Sequence, residues 1–415
     1  MHRSQKRVRI LCHQLNPSRC SSSTATPNPS TSTTTHAVLN QATEKTNYNA
    51  FNDAALQQGL AQFHGHWGFP HLSTLGKHVG SAEWQRKSRN ANANGPIFQP
   101  FDRFGHRIDA VSFQDDYHAL MNLGLSAGCA SFAWQQENRG TKGAHVIRGG
   151  LMYLMYQLNP GVCCPITMTF AATPALEGAA AAAPSTALER SFLQELISKL
   201  SVPDYDGSNG PISNKSAITI GMSMTEKQGG SDVRANTSFA TPLIDPATHT
   251  TSSAFHINGH KWFTSAPMSD AFLTLAQTDK GVSCFVVPRW LPASNDQNIG
   301  FQLQRLKEKL GDKSNASSEV EYRNAVGYML GPEGRGIRTI VDMVTHTRLD
   351  CIIGSSALMR QCAQCEWGGS SGRGGGGCPS GIVLYNSFFL FSFPLSFKQQ
   401  LLPTIAKNAT HLANH

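Results

Sequence analysis

GMSMTEKQGGSDVR, residues 221–234, and GHKWFTSA, residues 259–266, are the two stretches on which the reading of this chain turns. The first continues an alternation of apolar residues, Ile218, Ile220, Met222 and Met224, which predicts a strand with one buried face. Thr225 and Glu226 lead out of it into Gly229-Gly230-Ser231-Asp232. Two residues without a Cβ allow a sharp turn and a close approach of backbone N–H groups to a ligand. Such a nest of amides, with the Ser231 hydroxyl as a further donor, suits an anion. In the second stretch Asn258-Gly259 predicts a tight two-residue turn joining residues 254–257 to residues 260–264, because both turn positions favour positive φ. On a regular strand after that turn, Trp262 and Thr264 share a face. An indole beside a hydroxyl makes a wall for a flat, hydrogen-bonding ring system.

Strand signals continue beyond these stretches, through residues 271–276, 282–287, 300–304 and 318–322, with turn residues between them. Several short antiparallel strands without intervening helices make a small barrel or sandwich over residues 217–330. Residues 44–216 read as mostly helical. Residues 115–134 carry Leu120, Leu123 and Ala127 at helical spacing, and two further apolar stretches flank a break at Pro160-Gly161. Residues 331–365 return to helix, with Ile337, Ile340, Val341 and Val344 on one stripe. The fold class is therefore α+β.

Composition narrows the function. Of the net charge of +8, residues 1–43 hold +5 and residues 366–415 hold +2, which leaves +1 for the body between. The global charge is thus no sign of a nucleic-acid face. Residues 1–43 begin with arginines, lack acids and become rich in Ser, Thr and Pro, as in a disordered or targeting tail; mitochondrial and cytoplasmic locations both fit. Ten cysteines without a secretory signal favour free thiols in a reducing compartment. Cys362 and Cys365 have the spacing of half a zinc site, but no second pair completes one, so no metal is expected. Residues 366–415, a glycine-rich run followed by the interrupted apolar segment IVLYNSFFLFSFPLSF, give no membrane span.

The pair of stretches resembles the flavin-binding middle domain of acyl-CoA dehydrogenases, where T-E-x-x-x-G-S-D precedes a G-x-K strand that carries an aromatic residue and ends in Thr or Ser. MTEKQGGSDVRAN, with Lys-Gln-Gly in place of a proline-containing spacer, resembles the AidB-like, adaptive-response branch of that family. FVVP at 285–288, LGDKSNAS at 310–317 and LGPEGRG at 330–336 resemble its later signatures. The resemblance implies an N-terminal helical domain, a middle β domain and the first stretch of a C-terminal helical bundle, and it implies FAD as cofactor. Met222, Ser223, Met224, Thr225, Gly229, Gly230, Ser231, Trp262, Phe263 and Thr264 are the residues it assigns to the flavin. It assigns Ser231 and Arg348 to an acyl-CoA substrate. Glu226 and Asp232 match motif positions and are given structural roles in the turn.

The reaction implied is α,β-dehydrogenation of an acyl-CoA thioester; the alternative is an AidB-like flavoprotein that contacts DNA. A homo-oligomer is implied for a complete bundle. No catalytic base is assigned: one branch of the family would place it at Thr347, which is no carboxylate. The family pattern ends near Gln364, so the bundle is expected to be incomplete, which leaves an inactive enzyme as an open alternative and Ile337, Ile340 and Val344 without packing partners.

Overall fold

The computed structural model describes residues 45–181, 187–244 and 251–369. The tails at residues 1–43 and 370–415, with the expectations placed on them, lie outside the described residues. Among the described residues seven helices make up the first part: α1 (Ala54–Gln62), α2 (Phe69–Val79), α3 (Ala82–Ala93), α4 (Asp115–Ser126), α5 (Ala144–Leu158), α6 (Pro160–Ala181) and α7 (Ala187–Leu200). Side-chain caps start three of them; at α6 the Asn159 side-chain oxygen accepts from Val162 N at 3.1 Å. The Asp53 carboxylate accepts from the N–H groups of Ala55 and Leu56 at α1, and the Ser81 hydroxyl accepts from Trp84 N at α3. The helix expected through Trp134 stops at Ser126, and Gly128 turns the chain at a φ of +80°. Prolines shape α6 without ending it. Pro174 has no N–H to give the Phe170 carbonyl, and the Trp134 indole N–H fills that place at 3.0 Å.

A hairpin interrupts this helical part, contrary to the sequence reading. β1 (Ile97–Phe101) pairs antiparallel with β2 (Arg107–Ser112). Arg107 Nη1 donates to the Leu303 carbonyl and Leu303 N donates to Asp109, so the hairpin is stitched to the β domain rather than to the helices.

The β domain contains β3 (Ile220–Thr225), β4 (Phe239–Ile244), β5 (Thr251–Ser265), β6 (Ala271–Thr278), β7 (Gly281–Pro288), β8 (Phe301–Leu306) and β9 (Ser317–Leu330). Pairings β3–β6, β6–β7, β7–β9, β9–β5 and β5–β3 run in a closed circuit, so the sheet is a barrel. One of them, β3–β6, is parallel, which local patterning could not foretell. Phe255, Ile257, Phe272, Phe285, Val320 and Tyr322 belong to one buried cluster. A second cluster joins Ile218, Ile220, Leu273 and Val286 of the β domain to Met168, Leu176 and Leu196 of α6 and α7.

α8 (Gly336–Gly369) runs past Gln364, because an existing helix propagates at one backbone bond per added residue. Ile340 and Met343 are buried against the second cluster and Ile337 packs beside them. The expectation that Ile337 and Ile340 lack partners is therefore corrected: α6 and the barrel supply them. Val341, Leu349, Ile352, Leu358 and Met359 of α8 face outward.

Candidate functional site

The two signature stretches lie on neighbouring antiparallel strands, Ser223 opposite Thr264 and Thr225 opposite Phe263. β3 also runs beside β6, so both of its edges are bonded and it sits rigidly in the barrel wall. The Ile218, Ile220, Met222 and Met224 side chains all join the cluster toward α6 and α7, as the alternation predicts. Ser223 points the other way and is fully buried.

β5 departs from its expected form twice. Asn258-Gly259 makes no turn; β5 continues through it, and the register to β9 shifts between Ile257 and Gly259. Gly259 takes a φ of +135°, and a Cβ there would stand 2.5 Å from Ser238 Oγ of the neighbouring chain segment. The dipeptide therefore serves a bulge, the other local feature that asks for positive φ. A second shift falls between Lys261, opposite Val320, and Thr264, opposite Ser318. Three residues there span what two span on β9, so Lys261 and Thr264 are both fully buried while Trp262 is half-buried and Phe263 exposed. Trp262 and Thr264 accordingly do not share a face. The Thr264 hydroxyl lies 2.6 Å from the Ser223 hydroxyl inside the barrel.

What faces outward is the Thr225 side of the ladder and the indole. Thr225 is half-buried, and its hydroxyl has no hydrogen-bond partner among the described residues. Gly230 packs against it so closely that a Cβ would come 2.8 Å from Thr225 Oγ1, and Gly229 holds a φ of +117°. Ser231 is exposed at the lip of this turn, and Asp232 caps the short helix that follows by accepting from Arg234 N. The Trp262 ring is surrounded by cations: Lys307 Nζ at 3.7 Å, Lys227 Nζ at 5.4 Å and the Arg305 guanidinium at 5.9 Å from its centroid. Lys307 and Arg305 also share Glu319. A side-chain-free turn, a free hydroxyl, an aromatic surface and positive charge together fit a flat cofactor that carries phosphate. Arg348 is exposed on α8, and no hydrogen bond or ion pair among the described residues joins it to Ser231 or to the strand pair.

Glu226 holds the turn from behind. Its carboxylate accepts from Thr237 N and Oγ1, from Ser238 N and Oγ, from Gln228 Nε2 and from Lys261 Nζ. Burial pushes its pKa up, but the Thr237 amide, the Lys261 charge and the Ser238 hydroxyl outweigh that and hold it well below the usual carboxylate range. Lys261 stood in the quoted stretch without a role; its G-x-K position beside a buried strand was the signal that could have found this one.

The sequence reading missed a buried polar group under α8 altogether. Arg148 pairs with Asp350, donates to the Cys129 carbonyl at 2.7 Å and lies 3.6 Å over the Phe170 ring, while Thr167 Oγ1 donates to the second Asp350 oxygen. Thr347 donates its hydroxyl to the Val344 carbonyl. Beside them His145 and His346 pack on Trp134 and Phe170, and burial, then the charges of His346, Arg148 and Arg139, lower the His145 pKa to about 4. Among the described residues no group of three or more His, Cys, Asp or Glu could hold a metal ion, and no helix is long and apolar enough to cross a membrane.

Residues 40–207 match the adaptive response protein AidB N-terminal domain, and residues 221–325 match the acyl-CoA dehydrogenase middle domain. Over 327 residues the chain is 42% identical to the putative acyl-CoA dehydrogenase AidB of Escherichia coli (strain K12), a match covering 79% of this chain and 57% of that protein. The chain thus spans little more than half the length of this relative. The crystal structure of Caenorhabditis elegans ACDH-11 in complex with C11-CoA superimposes with a TM-score of 0.70 at 24% identity, over 92% of this chain and 60% of that one. A Mycobacterium smegmatis glutaryl-CoA dehydrogenase in complex with FADH2 gives a TM-score of 0.51 at 14% identity, over 81% and 71%. These two likenesses concern the fold.

Proposed function

Because the chain belongs to the acyl-CoA dehydrogenase family, in its AidB-like branch, we propose that its barrel binds FAD along the outer edge of the β3–β5 ladder and serves the oxidation of an acyl-CoA thioester. That reaction removes a proton from Cα and a hydride from Cβ, and FAD, when bound, supplies the hydride acceptor. The observation that carries the proposal is the antiparallel pairing of the two stretches, with the free Thr225 hydroxyl, the Gly229-Gly230 turn and Trp262 brought to one region.

Each residue has a role of its own. Thr225 donates its hydroxyl to a ring edge. The Gly229 and Gly230 amides and the Ser231 hydroxyl hold phosphate oxygens or the tail of the thioester. Trp262 covers the ring system, and Lys227, Lys307 and Arg305 attract the phosphates. Met222 and Met224 seat the ladder against the helices. Ser223 and Thr264 brace the strands from inside, through the bond between their hydroxyls. Arg348, exposed on α8, is kept as a contact for the acyl-CoA. No described residue is assigned as proton acceptor: Thr347 is a hydroxyl already donating to a carbonyl, and Asp350 is engaged by Arg148 and Thr167. Binding is accordingly the part of the function placed on this chain's own residues.

The test is a titration of the full chain with FAD, following quenching of flavin fluorescence and the visible absorbance that remains after desalting. We expect retained flavin, with affinity at least tenfold weaker in Trp262→Ala and Gly230→Val, each checked for folding by circular dichroism. Loss of visible absorbance from the retained flavin on anaerobic addition of a saturated acyl-CoA would extend the reading from binding to oxidation. Equal affinity in the folded variants, or no retained flavin in the parent chain, would overturn the placement.

A further inference from the structure

A pocket of about 210 Å³ opens at the seam where α4 and the loop at residues 205–209 meet the barrel segment at residues 266–269. None of the residues assigned above to flavin or acyl-CoA lines it. Its rim is exposed, at Ser112, Ser208 and Asn209, while Tyr117, Met121 and Ser269 form a buried floor. The walls are aromatic: Phe113 and Tyr117 stack at 4.0 Å and 14°, and His118 Nδ1 lies 2.8 Å from the Tyr205 hydroxyl, with the two rings stacked.

Two polar groups in this pocket have bonding capacity to spare. Ser269 is 3% exposed, and its buried hydroxyl has no hydrogen-bond partner among the described residues. Buried hydroxyls are ordinarily satisfied, so an unmade bond of this kind points to something that makes it. Lys215 Nζ gives two of its three N–H groups, to the Ser208 carbonyl at 2.8 Å and to Asp270 at 2.6 Å, which leaves one. The lysine charge is matched by Asp270, whose other oxygen accepts from Thr219 N at 2.8 Å. Burial favours the uncharged imidazole at His118. Asp206 also lines the pocket, its carboxylate taken up by Ser208 N and Oγ and by Ser216 N. The pocket is therefore aromatic, offers donors at its floor, and with this carboxylate in its wall disfavours an anionic occupant.

Size narrows the occupant. An apolar cavity of about 150 Å³ holds one benzene molecule, so this pocket holds one ring with a small substituent. The geometry points to a second binding site here, for a small uncharged ring compound bearing one hydrogen-bond acceptor, such as an aryl ketone. Its ring rests against the Phe113–Tyr117 pair, and its carbonyl accepts from Ser269 and Lys215.

The test is isothermal titration of the full chain with acetophenone, toluene and benzoate, repeated on Ser269→Ala and on Ser112→Trp, which fills the rim from an exposed position. Thermal unfolding by circular dichroism reports whether each variant is folded, and Asn209→Trp replaces Ser112→Trp if that one is not. Acetophenone is expected to bind tightest, to weaken about three- to tenfold in Ser269→Ala, the worth of one neutral hydrogen bond, and to lose at least tenfold when the rim is filled. Toluene is expected to bind the parent chain and Ser269→Ala alike. Toluene or benzoate matching acetophenone would overturn the proposal, as would acetophenone affinity unchanged in the folded variants. No heat from any probe would also overturn it and leave the pocket to water. Since no flavin-assigned residue lines the pocket, these outcomes are independent of whether the chain retains FAD.

Discussion

Lys261 Nζ lies 3.0 Å from Glu226 Oε1, with both side chains fully buried, and this pair fastens the two signature stretches to each other inside the barrel wall. Lys261 also donates to the Leu275 carbonyl, and Glu226 gathers the Thr237–Ser238 backbone, so four segments meet at one ion pair. Removing one partner strands a charge without water. We expect Lys261→Met to lower the unfolding free energy by about 3–5 kcal/mol, read as a shift in the urea midpoint. A shift within error would show that the pair is not the fastening.

The same carboxylate gives a pH dependence. Its folded pKa is depressed, so its contribution to stability is present above the unfolded value of about 4.3 and is lost as pH falls below it toward the folded value. The urea midpoint of the parent chain should drop between about pH 5 and pH 3, and more steeply than that of Glu226→Gln, which has no carboxylate to titrate. Parallel profiles for the two proteins would contradict the assignment.

His145 acts over a higher window. Its pKa is lowered by burial and by His346, Arg148 and Arg139 to about 4, against 6.5 for the free side chain. The unfolded chain therefore takes up a proton between these values that the folded chain refuses. Stability is full above pH 6.5 and declines as pH falls toward 4. His145→Phe should flatten that part of the profile, measured by thermal unfolding from pH 7 to pH 5.

Arg148 and Asp350 join α5 to α8 beneath the aromatic group. We expect Arg148→Met to destabilise by about 3–5 kcal/mol, and Arg148→Met with Asp350→Leu to recover most of the loss, since a buried apolar pair has no charge to desolvate. Additive losses in the double variant would argue against direct coupling.

Gly259→Val tests the bulge. The position combines a φ of +135° with a Cβ site 2.5 Å from Ser238 Oγ and 2.7 Å from Ser238 Cα. Strain of this kind costs about 1–3 kcal/mol, and the steric clash adds to it, so denaturant unfolding should show a loss at or above that range. Unchanged stability would mean that β5 repacks without the bulge.

Most strand positions were legible because alternation is a local signal. Ile218, Ile220, Met222 and Met224 face one cluster, as their spacing requires. The bulges of β5 were not legible. Asn-Gly reports only that positive φ is wanted, and a turn and a bulge want it equally. Whether the chain reverses or continues there is decided by β9, which pairs with both sides of Gly259. The β1–β2 hairpin escaped for a related reason: its partners, Leu303 above all, lie far along the chain.

Local chemistry along the chain was enough to specify the family, the α+β class, the Gly229-Gly230 turn and the apolar face of β3, because each depends on residues within a few positions of one another. The closure of the barrel by a parallel β3–β6 pair, the separation of Trp262 from Thr264, and the ion pairs Glu226–Lys261 and Arg148–Asp350 were settled only by tertiary structure. They join residues that no local period connects, and a buried charge takes as its partner whichever group the finished packing brings within reach.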